Sequence, residues 1–143
     1  MRAVVQRTTS ASVTVDGAVV GATEGPGLLV YLGITHDDGA ADVAWMARKV
    51  WELRILREER SAAEAGAPVL VVSQFTLYGD ARKGRRPGWS AAAPGPVSEP
   101  LYEAFCTELE RLGAVVARGI FGADMAVAAV NDGPITLILD SPR

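Results

Sequence analysis

Short apolar runs separated by turn residues occupy most of this 143-residue chain, and this alternation constrains its fold more than any other feature. Residues 12–15 alternate apolar and polar side chains, and Asp16-Gly17 follows as a hairpin turn because both residue types tolerate positive φ. Residues 28–33 form a continuous apolar run, which is typical of a strand buried on both faces. The pattern predicts about eight strands, at residues 2–7, 12–15, 18–23, 28–33, 69–76, 114–119, 125–130 and 135–139.

Two further stretches have the spacing of amphipathic helices. The first begins after Asp37 or Asp38, and the second begins at Ser98-Glu99-Pro100 and ends at Gly113. Strands that neither alternate regularly with helices nor exclude them are typical of the α+β class. We therefore predict a β-rich single domain over residues 1–143, with a mostly antiparallel sheet in a barrel-like layer and two main helices packed on it.

Composition excludes several classes of protein. Hydrophobic residues make up 49% and charged residues 22% of the chain, which is ordinary for one globular core. No apolar run is long enough to span a bilayer and no signal-peptide core follows the first residues, so we expect a cytoplasmic protein with no membrane partner. Because Cys106 and His36 are the only residues of their types, we expect no disulfide, no metal and no cofactor. His36 reads as a loop residue and Cys106 as a core residue.

Four basic residues lie within one short strip of an otherwise acidic chain. Removing them from the 14 basic residues leaves 10 against 17 acidic ones. Most charge runs are solvated surface loops, whereas the functional alternative is contact with the phosphates of a nucleic acid. The strip comprises Arg82, Lys83, Arg85 and Arg86.

Three other segments are candidates for a site. Ser73-Gln74-Phe75-Thr76 ends an apolar strand in polar residues, where backbone amides can bind a developing oxyanion; the alternative is a strand leaving the core. Residues 131–136 read as a hairpin turn on composition alone. Phe121 and Met125 flank a glycine-containing bend and suit either an aromatic platform or core packing.

Together, Ser-Gln-Phe-Thr-Leu at 73–77 and Asn-Asp-Gly-Pro-Ile-Thr at 131–136 resemble the two signature motifs of the D-aminoacyl-tRNA deacylases. The resemblance covers nearly the whole chain. It implies an editing hydrolase that cleaves the ester of D-aminoacyl-tRNA, releasing free tRNA and D-amino acid, and that also removes glycine mischarged on tRNA. L-aminoacyl-tRNA would be rejected.

The resemblance also implies roles for individual residues. The catalytic segment would comprise Ser73, Gln74, Phe75 and Thr76, whose backbone N–H groups hold the ester carbonyl while the 2′-hydroxyl of the terminal ribose takes part in activation. Phe121 and Met125 match positions that hold the terminal adenine. Contacts with the tRNA phosphates would come from Arg82, Lys83, Arg85 and Arg86.

Chiral rejection, by the same resemblance, belongs to Gly133 and Pro134, joined by a cis peptide bond. Their carbonyls would bind the α-ammonium group and block an L side chain, and Arg7 matches a residue that braces this element. The family is homodimeric, and each pocket is completed by the Gly-Pro pair of the partner. We therefore expect a homodimer with shared active sites that acts on the aminoacylated 3′ end of tRNA.

Two alternatives and one departure stand beside this interpretation. A non-enzymatic RNA- or DNA-binding dimer would also carry a basic strip, and a related deacylase edits L-alanyl-tRNA instead. Phe75 favours the D-specific type. The link between Leu56 and Val69 is shorter than the usual family pattern, which puts the local hairpin and any tRNA contact there in doubt.

Overall fold

Two long antiparallel strands, Arg2–Val15 (β1) and Ala18–Gly33 (β2), form the first hairpin of the computed structural model, which describes residues 1–142. Asp16 and Gly17 connect them with φ angles of 49° and 78°, as a two-residue hairpin turn requires. The other side of β1 pairs with a third long antiparallel strand, Ala126–Asp140 (β5). The Asp16-Gly17 turn predicted from sequence is therefore confirmed.

The remaining strands extend the sheet on the β2 side. Val69–Ser73 (β3) runs parallel to β2, and the short strand Val116–Arg118 (β4) runs parallel to β3. The five strands lie in the order β4-β3-β2-β1-β5. The α+β class is confirmed and the three longest strands are antiparallel, but the sheet is open, with β4 and β5 at its edges, and does not close into a barrel.

The structure has five strands and not the predicted eight, because residues typical of turns lie inside the long strands and do not end them. Residues 25 and 26 stand opposite the single residue Thr9, between the pairs Thr8–Gly27 and Ser10–Glu24. This is a β-bulge, in which one extra residue bends a strand without ending it. The predicted break between the strands at residues 18–23 and 28–33 is therefore wrong.

Two helices of 13 and 18 residues, Ala40–Glu52 (α1) and Gly95–Leu112 (α3), account for most of the helical structure, with a four-residue helix, Ala62–Ala65 (α2), between them. The N-cap of α1 is Gly39, not one of the aspartates before it. Helix α3 begins three residues before the predicted Ser98, so Pro100 lies inside the helix and not in its first turn. It ends at Gly113, with φ at 114°, as predicted.

The core lies between one face of the sheet and the helices α1 and α3. Strand β2 alternates, with Leu28, Val30 and Leu32 in this core and Leu29 on the opposite face. A smaller apolar cluster covers that second face, and its fully buried members are Ala11, Val13, Leu29, Leu70 and Val72. The second face is thus apolar but has no helix packed on this cluster within one chain.

Candidate functional site

A cavity of about 490 Å³ opens where β3 ends. Its wall combines the residues that follow β3, the start of α3 and the bend before β5. Two segments that the sequence singled out separately therefore meet here: Ser73 to Phe75 from the first motif, and the bend that holds Phe121 and Met125. Trp89, which follows the basic strip, joins them. Parallel pairing with β2 buries β3 up to Val72, so that the polar residues after it emerge at the cavity.

The chain turns sharply at this strand end. The Gln74 amide donates to the Leu32 carbonyl at 2.8 Å, and a 3₁₀ turn then runs over Phe75–Tyr78. The first amides of such a turn have no carbonyl partner within it, which leaves the N–H groups of Phe75 and Thr76 available to an external acceptor. The Gln74 side-chain amide donates to the Thr76 hydroxyl. Ser73, Gln74 and Phe75 line the cavity, whereas Thr76 lies beside it and does not.

Acid–base groups are scarce around this cavity. Among the described residues that line it, Asp124 alone carries an ionisable side chain. His36 lies elsewhere, with Nε2 2.7 Å from the Ser90 carbonyl oxygen. Burial raises the pKa of the Cys106 thiol to about 11, so Cys106 is a core residue, as predicted, and not a nucleophile. The described lining therefore offers few side chains that could transfer a proton.

Two exposed aromatic rings form one rim of the cavity. Phe75 is 53% exposed and Trp89 is 43% exposed. The centroids of their rings lie 5.3 Å apart in an edge-to-face arrangement. Trp89 packs against Gly79 so closely that a Cβ atom there would lie 2.6 Å from the indole. A rigid, exposed aromatic pair suits stacking with a base or an apolar side chain. Trp89 belongs to neither signature motif, but it follows the basic strip by three residues, where an aromatic ring could stack beside phosphate contacts.

The opposite part of the wall contains Phe121 and Met125. The Phe121 ring lies 5.9 Å from the ring of buried Tyr102, and the Met125 sulfur lies against Gly119, where a Cβ atom would approach it to 2.6 Å. Both side chains are half-buried and also line the cavity. The two readings of these residues are therefore compatible, since each packs on the core with one side and faces the cavity with the other.

The second motif is a bulge within β5 and not the predicted hairpin turn. Gln6 pairs with Thr136 and Thr8 with Asn131, so four residues of β5 stand opposite Arg7 alone. The Asn131 amide bridges the bulge by donating to the Thr136 hydroxyl at 2.8 Å. The Gly133–Pro134 peptide bond is cis and Gly133 has φ at 119°. Neither residue of this pair lines the cavity of its own chain.

Arg7 lies beneath the bulge and is almost completely buried. Its Nε donates to the Asp132 carbonyl at 3.0 Å and its Nη1 to the Ile55 carbonyl at 3.2 Å. A Cβ atom on Gly133 would overlap the Arg7 guanidinium. The structure therefore brings Arg7 into contact with the Gly133 element.

A second arginine, which the sequence analysis missed, reaches the same bulge. Arg57 donates to both carboxylate oxygens of Asp132, at 2.7 and 3.2 Å, and these hydrogen bonds lower the pKa of Asp132 below its ordinary value. The two residues are 75 positions apart in sequence. The one sequence signal for this pair is that arginine binds aspartate, and the sequence allows many other arginine–aspartate pairs.

The basic strip lies on an exposed loop that is closed by mutual main-chain hydrogen bonds of 2.8 Å between Asp80 and Gly88. Arg82 does not project freely, because its guanidinium binds the Asp80 carboxylate at 2.6 and 2.8 Å. Arg82 thereby lowers the pKa of Asp80 to about 2. Within residues 1–142, the other three basic residues have no ion pair. They are Lys83, Arg85 and Arg86.

In the described part of the chain, no group of three or more histidine, cysteine or acidic side chains is placed to hold a metal ion. No helix of residues 1–142 is long and apolar enough to cross a membrane.

Comparison with known proteins adds family relationships to this geometry. The profile of the family described as D-Tyr-tRNA(Tyr) deacylase matches residues 4–140. The chain is 64% identical over 140 residues to the D-aminoacyl-tRNA deacylase of Thermobifida fusca, covering 98% of this chain and 99% of that protein. It is 66% identical over 141 residues to the D-aminoacyl-tRNA deacylase of Kineococcus radiotolerans, covering 99% of this chain and all of the relative.

Solved structures share the fold. A protein described as the c-Myc DNA unwinding element binding protein superposes with a TM-score of 0.93 at 38% identity, covering both chains completely. A probable eukaryotic D-amino acid tRNA deacylase superposes with a TM-score of 0.80, covering 96% of this chain and 97% of the other, but at 18% identity it supports the fold alone.

Proposed function

The chain belongs to the D-aminoacyl-tRNA deacylase family, and from that premise we propose how its own residues divide the reaction. The protein is a D-aminoacyl-tRNA deacylase, an enzyme that hydrolyses an ester. We propose that the cavity at the end of β3 receives the aminoacylated 3′ end of tRNA. The single observation that carries this proposal is the meeting of strand-end amides, exposed aromatic rings and one apolar wall around one cavity.

Hydrolysis at this cavity relies on main-chain donors. The N–H groups of Phe75 and Thr76 are positioned at the start of a turn, where they can stabilise the oxyanion that develops on the ester carbonyl. Ser73 and Gln74 complete the catalytic segment. Since Asp124 is the one ionisable side chain of the lining, the 2′-hydroxyl of the terminal ribose supplies the activation that the protein lacks. Phe121 and Met125, which pack on the core and face the cavity, hold the terminal adenine.

Removing one hydroxyl from the substrate and one from the protein, and comparing the two losses of rate, tests how the reaction is divided between them. A substrate with a 2′-deoxy terminal adenosine is expected to lose most of the deacylation rate, whereas Thr76→Ala retains measurable hydrolysis because the main-chain donors remain. Single-turnover rates on D-tyrosyl-tRNA give the comparison, and Thr76→Ser is the matched control. The reverse ranking would mean that the Thr76 hydroxyl is itself the nucleophile or an essential polarising group.

Chiral selection follows from Gly133 and Pro134 acting in the cavity of a second chain. Within one chain the pair does not line the cavity, yet it lies on β5, an edge strand with exposed apolar side chains. Ile138 on this strand is 68% exposed. A long apolar edge strand of this kind is normally covered. A homodimer that covers it and places each Gly-Pro pair in the partner's cavity would accept D-aminoacyl groups and glycine, and would exclude L side chains.

Light scattering at micromolar concentration tests the dimer, which should have twice the 15.0 kDa chain mass. A fully active monomer would contradict the shared site.

The substrate range is tested by deacylation time courses on D-tyrosyl-tRNA, L-tyrosyl-tRNA and glycyl-tRNA with the same preparation. We expect hydrolysis of the first and third only. Fast hydrolysis of L-alanyl-tRNA with little D-specific activity would favour the L-alanine editor.

The basic strip contributes affinity for tRNA in this proposal. Its three cations that pair with no acidic side chain of residues 1–142 lie on the loop that leads to Trp89, at the rim of the cavity. Phosphate contacts from such a loop bind the acceptor stem without taking part in bond cleavage. We further propose that the enzyme works in the cytoplasm, where aminoacyl-tRNA is formed and used.

DNA binding is a second candidate function, favoured by one specific observation. The structural relative at 38% identity is described as a DNA unwinding element binding protein. The alternative of a purely non-enzymatic binding dimer is wrong, because close relatives are deacylases. Competition of labelled tRNA by a DNA duplex at matched salt tests whether the basic strip also binds DNA. Displacement by DNA at concentrations near those of unlabelled tRNA would support this second function.

A further inference from the structure

The contact between Arg57 and Asp132 joins two parts of the chain that share no strand pairing. Arg57 opens the 3₁₀ turn Arg57–Glu59, whereas Asp132 lies in the bulge of β5 immediately before Gly133. The guanidinium donates to both carboxylate oxygens, which is the geometry that makes an arginine–carboxylate pair directional as well as strong. The side chain of Arg57 is 67% exposed, but that of Asp132 only 22%.

The turn that carries Arg57 is tightly built. The Leu56 amide donates to the Arg60 carbonyl at 2.9 Å, which closes the turn at its base. Glu58 and Glu59 have φ at 65° and 55°, in the left-handed region that residues with a side chain rarely occupy. Such conformations persist where surrounding structure requires them, and they cluster at functional positions. Here they let a short turn direct Arg57 towards β5.

Asp132 is bound by two arginines, Arg7 and Arg57. Its carbonyl oxygen accepts from Arg7 and its carboxylate from Arg57, and the Arg7 Nε also lies 3.4 Å from that carboxylate. The main chain and the side chain of this residue are thus held from two directions. Because Asp132 is bonded directly to Gly133, its position determines where the Gly133 carbonyl and the following Pro134 point.

We propose that Arg57 is a positioning residue, which through Asp132 holds the Gly133–Pro134 element in the orientation that selects the D configuration. The inference rests on the proposed role of that element and adds a residue to it. Arg57 makes no contact with substrate in this scheme. Its removal therefore affects how well the element discriminates, and affects tRNA affinity little.

The experiment combines three substitutions with two readouts. Arg57→Ala removes both hydrogen bonds, Arg57→Lys keeps the charge but cannot make the two parallel contacts, and Asp132→Asn keeps the shape of the acceptor but loses its charge. For Arg57→Ala we expect kcat on D-tyrosyl-tRNA to fall about 10-fold, with KM nearly unchanged and the ratio of D to L hydrolysis lowered. Arg57→Lys should recover only part of this loss, and the Arg57→Ala/Asp132→Asn double variant should be no worse than the worse single one.

Arg60→Ala is the matched control. Arg60 lies in the same turn, but its guanidinium binds the Glu64 carbonyl and not Asp132. It should keep the wild-type kcat and selectivity. A rise in KM with unchanged kcat and selectivity in Arg57→Ala would overturn the proposal, because that pattern is expected of a phosphate contact. Equal losses in Arg57→Ala and Arg60→Ala would overturn it as well, since they would indicate damage to the turn as a whole.

Amide hydrogen exchange supplies a readout that does not depend on activity. The Ile135 amide donates to the Asn131 side chain at 3.3 Å inside the bulge. Its exchange should be faster in Arg57→Ala than in wild type, with the core amides of β2 unchanged. Unchanged exchange of the Ile135 amide in Arg57→Ala would overturn the positioning role, whatever the activity of the wild-type enzyme. Inactivity of the wild-type enzyme on D-tyrosyl-tRNA would instead contradict the proposed function alone.

Discussion

Arginines of the same charge occur in two contrasting settings in this protein. Arg7 and Arg57 bind fixed acceptors around Asp132, and the Arg7 side chain is almost wholly buried. Arg85 and Arg86 project from an exposed loop, where no acidic side chain of residues 1–142 pairs with them. The acceptors that the fold supplies, and not the residue type, therefore determine whether an arginine holds structure in place or remains free for a partner.

The two settings predict different failures. A cation with fixed hydrogen bonds, whether buried like Arg7 or largely exposed like Arg57, leaves acceptors without their partner when it is removed, so its loss disturbs local geometry. An exposed cation is screened by salt, and its loss changes mainly the electrostatic part of nucleic-acid binding. Substitutions in the first region should thus affect kcat, and substitutions in the second should affect affinity and its salt dependence.

Gly133→Ala should cause the largest effect. The added methyl group would overlap the Arg7 guanidinium, and φ at 119° is unfavourable for any residue with a Cβ atom. Either the bulge or Arg7 must move, and a displacement of about 1 Å at a reacting centre can cost about 100-fold in rate. We expect a loss of that order in kcat/KM on D-tyrosyl-tRNA, measured in steady state.

Gly17→Ala controls for the backbone. Gly17 also has positive φ, at 78°, but a Cβ atom there meets nothing within 4 Å. Gly17→Ala should lose roughly 1 kcal/mol of unfolding free energy in urea titration, Gly133→Ala should lose more because of its overlap with Arg7, and only Gly133→Ala should lose activity. Comparable activity in the two variants would show that the contact with Arg7 has no functional role.

Arg7→Lys should have the next largest effect. Lysine keeps the charge but cannot donate at once to the Asp132 and Ile55 carbonyls from a planar guanidinium. We expect kcat to fall about 10-fold and the unfolding free energy to fall by about 1–3 kcal/mol, since a buried acceptor is left unsatisfied. Quenched single-turnover assays measure the rate, and urea unfolding measures the stability. An unchanged kcat with lowered stability would reduce Arg7 to a structural role.

Arg85→Ala/Arg86→Ala should weaken tRNA binding without changing kcat. If each arginine contacts one phosphate, the slope of log K against log salt becomes shallower by roughly 1.4 to 1.8. Filter binding of tRNA at several salt concentrations measures the slope, and saturating single-turnover assays measure the rate. A large loss of rate at saturation would place the strip inside the reaction centre.

Asp80→Asn should give the smallest change, and in the opposite direction. Because the pKa of Asp80 is about 2, the carboxylate remains ionised and paired with Arg82 throughout the neutral range. Removing its charge releases Arg82 to act like the other cations of the loop, so tRNA affinity at low salt should rise about two- to threefold. Asp16→Asn, at the exposed hairpin turn, controls for net charge; an equal gain there would show that Arg82 is not specifically released.

Local chemistry made several features predictable from sequence. The Asp16-Gly17 turn and the end of α3 at Gly113 depend on residues that tolerate positive φ, and such a preference is a property of the residue itself. The two main helices were predicted because their apolar positions recur with helical spacing, although α3 begins earlier than expected. The family was identified from two motifs, each contiguous in sequence, and the comparisons confirm it.

The site's assembly was decided only in three dimensions. Turn-forming residues such as Gly25 and Gly133 lie in bulges, because pairing with β1 continues on both sides of them, and no local preference distinguishes a bulge from a turn. The contact between Arg57 and Asp132 depends on the register that joins β1 to β5 and on the turn that directs Arg57 towards it. A hydrogen bond across 75 residues has no sequence period to reveal it, since its geometry exists only once the strands have paired.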